Sequence, residues 1–253
     1  VAKRFGTEHI ETSLEPKFAE IIPELPRYFG EPFADSSALP TWLVSQVARS
    51  QVTVALAGDG GDELFAGYTW THTTQRAERY RRLPLWMRRT VDALLQLAPR
   101  HPEVARIRRF SKDLFQSTLH VFRRKHTCFG AEMRARLFKP DTTKAVLTSS
   151  VDYFQRHWDA FPELTPQDKM LYHDTVMYLP DDILTKVDRM SMAQALEVRV
   201  PILDHRIVEF AASLPFNFKY RNGKSKVIVK HALNRVLPPE VVRQRKQGFA
   251  LPI

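Results

Sequence analysis

Residues 52–68 read Val-Thr-Val-Ala-Leu-Ala-Gly-Asp-Gly-Gly-Asp-Glu-Leu-Phe-Ala-Gly-Tyr, and this run constrains the fold more than any other part of the chain. Val52 to Leu56 is β-branched and apolar, the pattern of a short buried strand. Gly58, Gly60 and Gly61 follow at once, and Glu63-Leu64-Phe65 reads as the entry to a helix. A strand, a glycine-rich turn and a helix N-terminus point several backbone N–H groups at one place, where an anion can sit. Asp59, Asp62 and Glu63 in the same turn would repel a bare phosphate, so the loop suits a polyphosphate with a hard cation such as Mg2+ between them. Taken alone, three glycines and three acids make an ordinary solvated turn. Position argues for a site. Three of the nine glycines fall within four residues at the C-terminal end of a predicted strand, the edge at which open α/β sheets bind ligands.

The rest of the chain arranges itself around this unit. The pattern predicts a strand-like start, a helix over 18–25 closed by Pro26, and a helix over 39–49 that feeds the strand at Val52. That α–β order places the strand in a parallel sheet. Beyond Tyr68 the pattern is helical almost throughout, broken by Pro84, Pro99, Pro102, Pro140, Pro162 and Pro166. Pro180 is expected to end a helix begun near Asp168, with Asp181 or Asp182 capping the next, which runs through Ala195. On that helix Asp182, Lys186, Arg189 and Ala193 share a face at helical spacing. A surface Asp182–Lys186 pair is the plain reading of Asp182, while Lys186 and Arg189 are candidates to face a nucleotide. Pro201 makes Glu197–Val200 extended, and Asp204 stands where it would cap a helix over 205–213.

Three stretches together resemble the synthetase domain of the glutamine-hydrolysing asparagine synthetases: the Gly58–Tyr68 loop, Tyr178 to Met192 continuing through Glu197–Asp204, and Arg243-Gln-Arg-Lys-Gln-Gly-Phe249. Glu31–Ser37 and Gly6–His9 are weaker echoes, and all the matches come in family order across essentially the whole chain. The resemblance implies an α/β fold, a nucleotide α-hydrolase-like (Rossmann-like) parallel-sheet remnant carrying a larger, mostly helical body. It also implies ATP, Mg2+, aspartate and ammonia drawn from glutamine as reactants or cofactors. Carried over residue by residue, Ala57 and Gly58 would contact ATP; Gly60 and Gly61 of the same turn, and Lys186 and Arg189 on their helix face, are the further candidates to bind ATP or pyrophosphate. Asp59 would be catalytic, Asp62 would hold magnesium and pyrophosphate, and Lys246 would offset the charge that develops as pyrophosphate leaves. Ala57 stands where the family often has serine. The residues themselves leave Lys246 as one more solvated lysine beside Arg243 and Arg245.

The same resemblance makes residues 1–253 a partial domain. The lone Cys128 lies mid-chain, so the N-terminal cysteine of a glutaminase domain is expected to be missing. The glycines outside the 58–61 cluster are isolated, so a first phosphate-binding loop is expected to be missing too. Alone, the chain is expected to be inactive. It leaves open a related amidotransferase acting on another carboxylate, of the β-lactam synthetase or polysaccharide-cluster kind, and a homodimer. At 43% hydrophobic content the chain can bury a sizeable core, no apolar run approaches a membrane span, and one cysteine fits a reducing, cytoplasmic compartment. Membrane partners are not expected. The formal charge of +10 gathers between Arg76 and Lys125. Leucines and Trp86 interleave there at helical spacing, which is read as a solvated amphipathic surface rather than a nucleic-acid module.

Overall fold

The computed structural model describes residues 1–11, 18–97, 116–127, 131–139, 141–142 and 153–244. The chain divides into two units, one of residues 1–67 and 174–253 and the other of residues 68–173. It is mostly helical, with a small parallel strand pair in the first unit.

That pair is β1, Val54–Leu56, and β2, Glu197–Arg199, in register Val54↔Glu197, Ala55↔Val198 and Leu56↔Arg199. The expected parallel sheet is therefore present as two strands among the described residues. The strand is not buried as expected: only Ala55 is even half-covered, and Leu56 is 74% exposed. Two strands cannot bury both faces of a ribbon; the Thr185–Met192 helix packs on β2, and the Ala38–Arg49 helix packs on that helix in turn. The Ala38–Arg49 helix runs one residue longer than its pattern predicts. Its packing partner is the Thr185–Met192 helix. Between and beside them lies a core of Phe29, Ala38 and Met190 ringed by Leu25, Tyr28, Phe33 and Trp42. Phe29 and Phe33 stack with centroids 4.1 Å apart. A second core joins Leu64, Phe65 and Ala211, with Ile202, Leu203 and Val208 against it.

Three expectations need correction. The chain opens as the helix Ala2–Phe5 rather than as a strand. Pro26 does not close a helix; it occupies the first turn of the Leu25–Phe29 helix, where its missing N–H costs nothing. Pro180 does not end one either. The Pro166–His173 helix passes into a wide, π-wound stretch, Asp174–Leu184, that contains Pro180 and continues as Thr185–Met192. In that winding each amide reaches back five residues, and the Thr185 hydroxyl donates to the Pro180 carbonyl at 2.8 Å, five positions away. Asp204 does cap the His205–Ser213 helix, its carboxylate accepting from the Arg206 N–H at 2.9 Å.

The second unit is built from Thr69–Arg81, Leu85–Leu97, Thr118–Lys125 and Pro166–His173, with a helical turn over 153–159. Phe122, Met170 and His173 are its buried centre. Phe122, Phe154, Trp158 and His157 pack around the His173 ring at centroid distances of 5.5 to 5.8 Å, apart from one another's contacts. Burial, then the neighbouring His157 and His126, push His173 down to about 4. Glu78, Arg81 and Thr118 tie the first and third of these helices through short hydrogen bonds.

Candidate active site

At the C-terminal end of β1 the ladder runs one residue further, Ala57 N–H donating to the Arg199 carbonyl at 2.9 Å. The chain then turns through Gly58-Asp59-Gly60 into the short helix Gly61–Leu64. Gly60 is needed twice over. Its φ is +84°, and a Cβ there would collide with the Leu203 side chain. Gly67 is needed for space alone, because a Cβ would strike the Asp62 carboxylate and the stem of Lys226.

Asp62 and Lys226 form an ion pair, Nζ to Oδ1 at 3.0 Å. Lys226 owes its place to a hairpin. Tyr220–Arg221 and Lys224–Ser225 pair across Asn222-Gly223, both with positive φ, the two-residue turn that asparagine-glycine favours. The Lys226 amide then donates to the Phe65 carbonyl at 3.1 Å, fastening the hairpin exit to the residues after the acidic loop.

Lys186 is buried, and it does not pair with Asp182. Its ammonium donates to Asp35 Oδ2 at 2.8 Å and to Ser37 Oγ at 2.7 Å. Asp35 also accepts from the Ser37 amide at 2.9 Å and the Ser37 hydroxyl at 2.6 Å. Burial acts to raise the Asp35 carboxyl, but the hydrogen bonds from Lys186 and Ser37 outweigh it and hold the group below its ordinary value. The π-wound stretch lies just before Lys186, and within it Tyr178 donates to Asp182. Burial and the carboxylates of Asp182 and Asp35 push the Tyr178 hydroxyl up.

A cleft of about 290 Å³ opens between the Ala38–Arg49 helix, β1 and the Thr185–Met192 helix. Its polar lining is Thr41, Ser45, Asp59, Lys186 and Ser191. Asp59 is half-buried. Burial raises its pKa, the Lys186 charge works against that, and the nearby Asp62 adds to the rise. A carboxylate whose affinity for a proton is raised in this way, near a fixed ammonium, is a better proton acceptor than a free aspartate.

The structure thus brings Ala57, Asp59 and Lys186 to one cleft. Gly60, Gly61 and Asp62 follow in the same loop and helix but do not line that cleft; Asp62 is turned to Lys226. Arg189 goes elsewhere: it is exposed, and its guanidinium donates to the Tyr28 carbonyl at 3.1 Å, where it ties two segments together. Lys246 and Cys128 lie outside the described residues. Asp35, Ser37 and Lys226 were not assigned roles from sequence. Asn222-Gly223 between two short polar runs was the signal available for Lys226. Asp35 and Ser37 lie in the weaker Glu31–Ser37 echo, but their partner Lys186 is 151 and 149 positions away.

The family model for asparagine synthase matches residues 1–253. Glutamine-hydrolysing asparagine synthetase 1 of Bacillus subtilis strain 168 is 31% identical over 267 residues, an alignment covering 100% of this chain and 39% of that protein. Asparagine synthetase 3 of the same strain is 25% identical over 256 residues, covering 98% of this chain and 35% of its own length. The chain belongs to the asparagine synthase family. It spans well under half the length of these relatives.

Proposed function

We propose that this chain supplies part of the adenylating machinery of an ATP-dependent asparagine synthase that draws ammonia from glutamine. In that reaction the aspartate side-chain carboxylate attacks the α-phosphorus of ATP and expels pyrophosphate. Ammonia then attacks the acyl carbon, AMP leaves, and a proton is lost from nitrogen. The observation that carries this reading is the meeting of Asp59 and Lys186 in one cleft at the C-terminal edge of β1. Asp59, its affinity for a proton raised, is the group to accept the proton of the incoming amine. Lys186, held by Asp35 and Ser37, presents a fixed positive charge toward the departing phosphates. The turn offers phosphate oxygens the backbone amides of Gly58, Gly60 and Gly61, where side chains would keep them away; the Ala57 N–H is already held by the Arg199 carbonyl.

Magnesium fits the acidic loop as a shared ion. Among the described residues no group of three or more His, Cys, Asp or Glu side chains converges as a metal cage. Mg2+ with nucleotides characteristically takes one or two carboxylates and completes its shell with phosphate oxygens and water. Asp62 is the carboxylate for that role, braced by Lys226; the ion would screen the phosphates. Lys246 is proposed to join them.

The test is pyrophosphate release from ATP with aspartate and glutamine, in a polypeptide joining this chain to the segments its relatives carry besides it. Aspartate-dependent release, together with asparagine formation that drops when Asp59 is changed to Asn, supports the reading. Release driven equally well by an unrelated carboxylate would move the substrate away from aspartate, and unchanged asparagine formation in Asp59→Asn would remove Asp59 from the chemistry.

A further inference from the structure

The charge of the chain is not spread evenly. Residues 68–173 hold 20 of the 38 Lys and Arg and 10 of the 28 Asp and Glu, so the whole +10 sits in this helical unit. The remaining residues balance at 18 of each sign.

Within the unit the Leu85–Leu97 helix turns most of its apolar side outward. At 100° per residue, Trp86, Ala93, Leu97, Leu94, Met87 and Val91 share one side, and Arg88 and Asp92 stand on the other. A helix on a globular body normally turns its apolar side inward. Here Arg88, Asp92 and Leu95 are half-covered, and Tyr80 of the preceding helix donates to the Arg88 carbonyl at 3.1 Å. The apolar side faces out: Trp86 is 68% exposed, Leu94 62% and Leu97 83%. Arg82 and Arg89 are exposed at its margin.

We propose that this helix lies on an anionic lipid surface, with Trp86, Leu94 and Leu97 entering the headgroup region and Arg82 and Arg89 meeting lipid phosphates. Three observations select this occupant. An apolar side with a tryptophan and basic residues at its edge is the composition of interfacial helices. A unit carrying +10 complements a negative leaflet. A nucleic-acid backbone would satisfy the arginines but would leave the leucines in water. Among the described residues no helix is long and apolar enough to cross a membrane, and a helix lying in the interface plane needs no such length. The expectation of no membrane partner rested on the absence of a spanning run, which does not bear on this mode of binding.

The experiment is sedimentation of the full chain with vesicles of phosphatidylcholine alone and of phosphatidylcholine mixed equally with phosphatidylglycerol. The chain is expected to follow the anionic vesicles and to stay in solution with the neutral ones. Leu94→Ser with Leu97→Ser, both at exposed positions, should weaken partitioning by more than about tenfold. Arg82→Gln and Arg89→Gln should each weaken it about fivefold at low salt. Fluorescence of the bound chain should shift to the blue, and Trp86→Phe should remove that shift. Equal partitioning into both vesicles, partitioning that survives the leucine changes, or duplex RNA captured in preference to anionic vesicles would each overturn the proposal.

Discussion

The Lys186–Asp35 pair offers the sharpest test of how the cleft is held. Asp35→Asn keeps the size of the side chain and removes its charge. Both members are largely buried, their side chains 9% and 21% exposed, so water cannot replace the lost carboxylate. Removing one partner of a buried pair strands the other and costs roughly 3–5 kcal/mol. Ser37 Oγ remains as a neutral acceptor at 2.7 Å, which places the expected loss at the lower end, about 3 kcal/mol. With a urea m-value of about 2.5 kcal/mol/M, the midpoint should fall by about 1.2 M. The assay is urea unfolding followed at the indole N–H of Trp42 by NMR, since Trp42 packs on the Phe29–Met190 core and reports the first unit alone. The sign with pH follows from the depressed Asp35 pKa. The stabilisation is fully present above the unfolded value near 4 and disappears as pH falls through the lower folded value. Wild type and Asp35→Asn should therefore converge in acid. A midpoint shift below about 0.3 M at neutral pH, or a difference that persists in acid, would refute the reasoning.

Other outcomes follow from the same geometry. Asp62→Asn should lower aspartate-dependent pyrophosphate release about 100-fold, whereas Asp204→Asn should leave it near normal, because asparagine caps a helix as well as aspartate. Gly67→Ala should push the Asp62 carboxylate off Lys226 and lower the same activity by about 100-fold, as misplacement in a site does, with circular dichroism little changed. The helical unit should lose stability as pH falls from about 6.5 to about 4, because the unfolded form binds the His173 proton first. The total is roughly 3 kcal/mol, and melts of His173→Phe should show a flatter profile over that window.

What the sequence revealed was local. The Gly58–Asp62 turn could be read because glycine and acid chemistry there is decided within a few residues, and the Asp204 cap for the same reason. The partner of β1 could be anticipated only as an extended stretch before Pro201, since strand pairing is set by tertiary packing rather than by either segment alone. Lys186 illustrates the limit. Helical spacing offered it Asp182 four residues back, but a buried ammonium is better satisfied by a carboxylate and a hydroxyl converging on it, and those came from Asp35 and Ser37. Pro180 failed as a helix stop because the rule assumes α-winding, and the Asp174–Leu184 stretch is wound more widely. The Arg76–Lys125 region is basic in sequence, and within it the Leu85–Leu97 helix is amphipathic. Which side faces out depends on the neighbours, so the exposed apolar side could not be foreseen.

The β1–β2 register joins position 54 to position 197, 143 residues apart. A parallel crossover needs only about a dozen residues. Because closure entropy grows with the logarithm of length, the longer span costs only about 2 kcal/mol more. Thermodynamics therefore permits a whole folded unit in that interval at little expense. Kinetics is less forgiving, because a contact this distant in sequence forms slowly while the intervening chain is loose. Early folding of residues 68–173 would shorten the free chain and hasten the closure. A substitution that slows that unit would then delay the appearance of the nucleotide cleft without altering any residue that lines it.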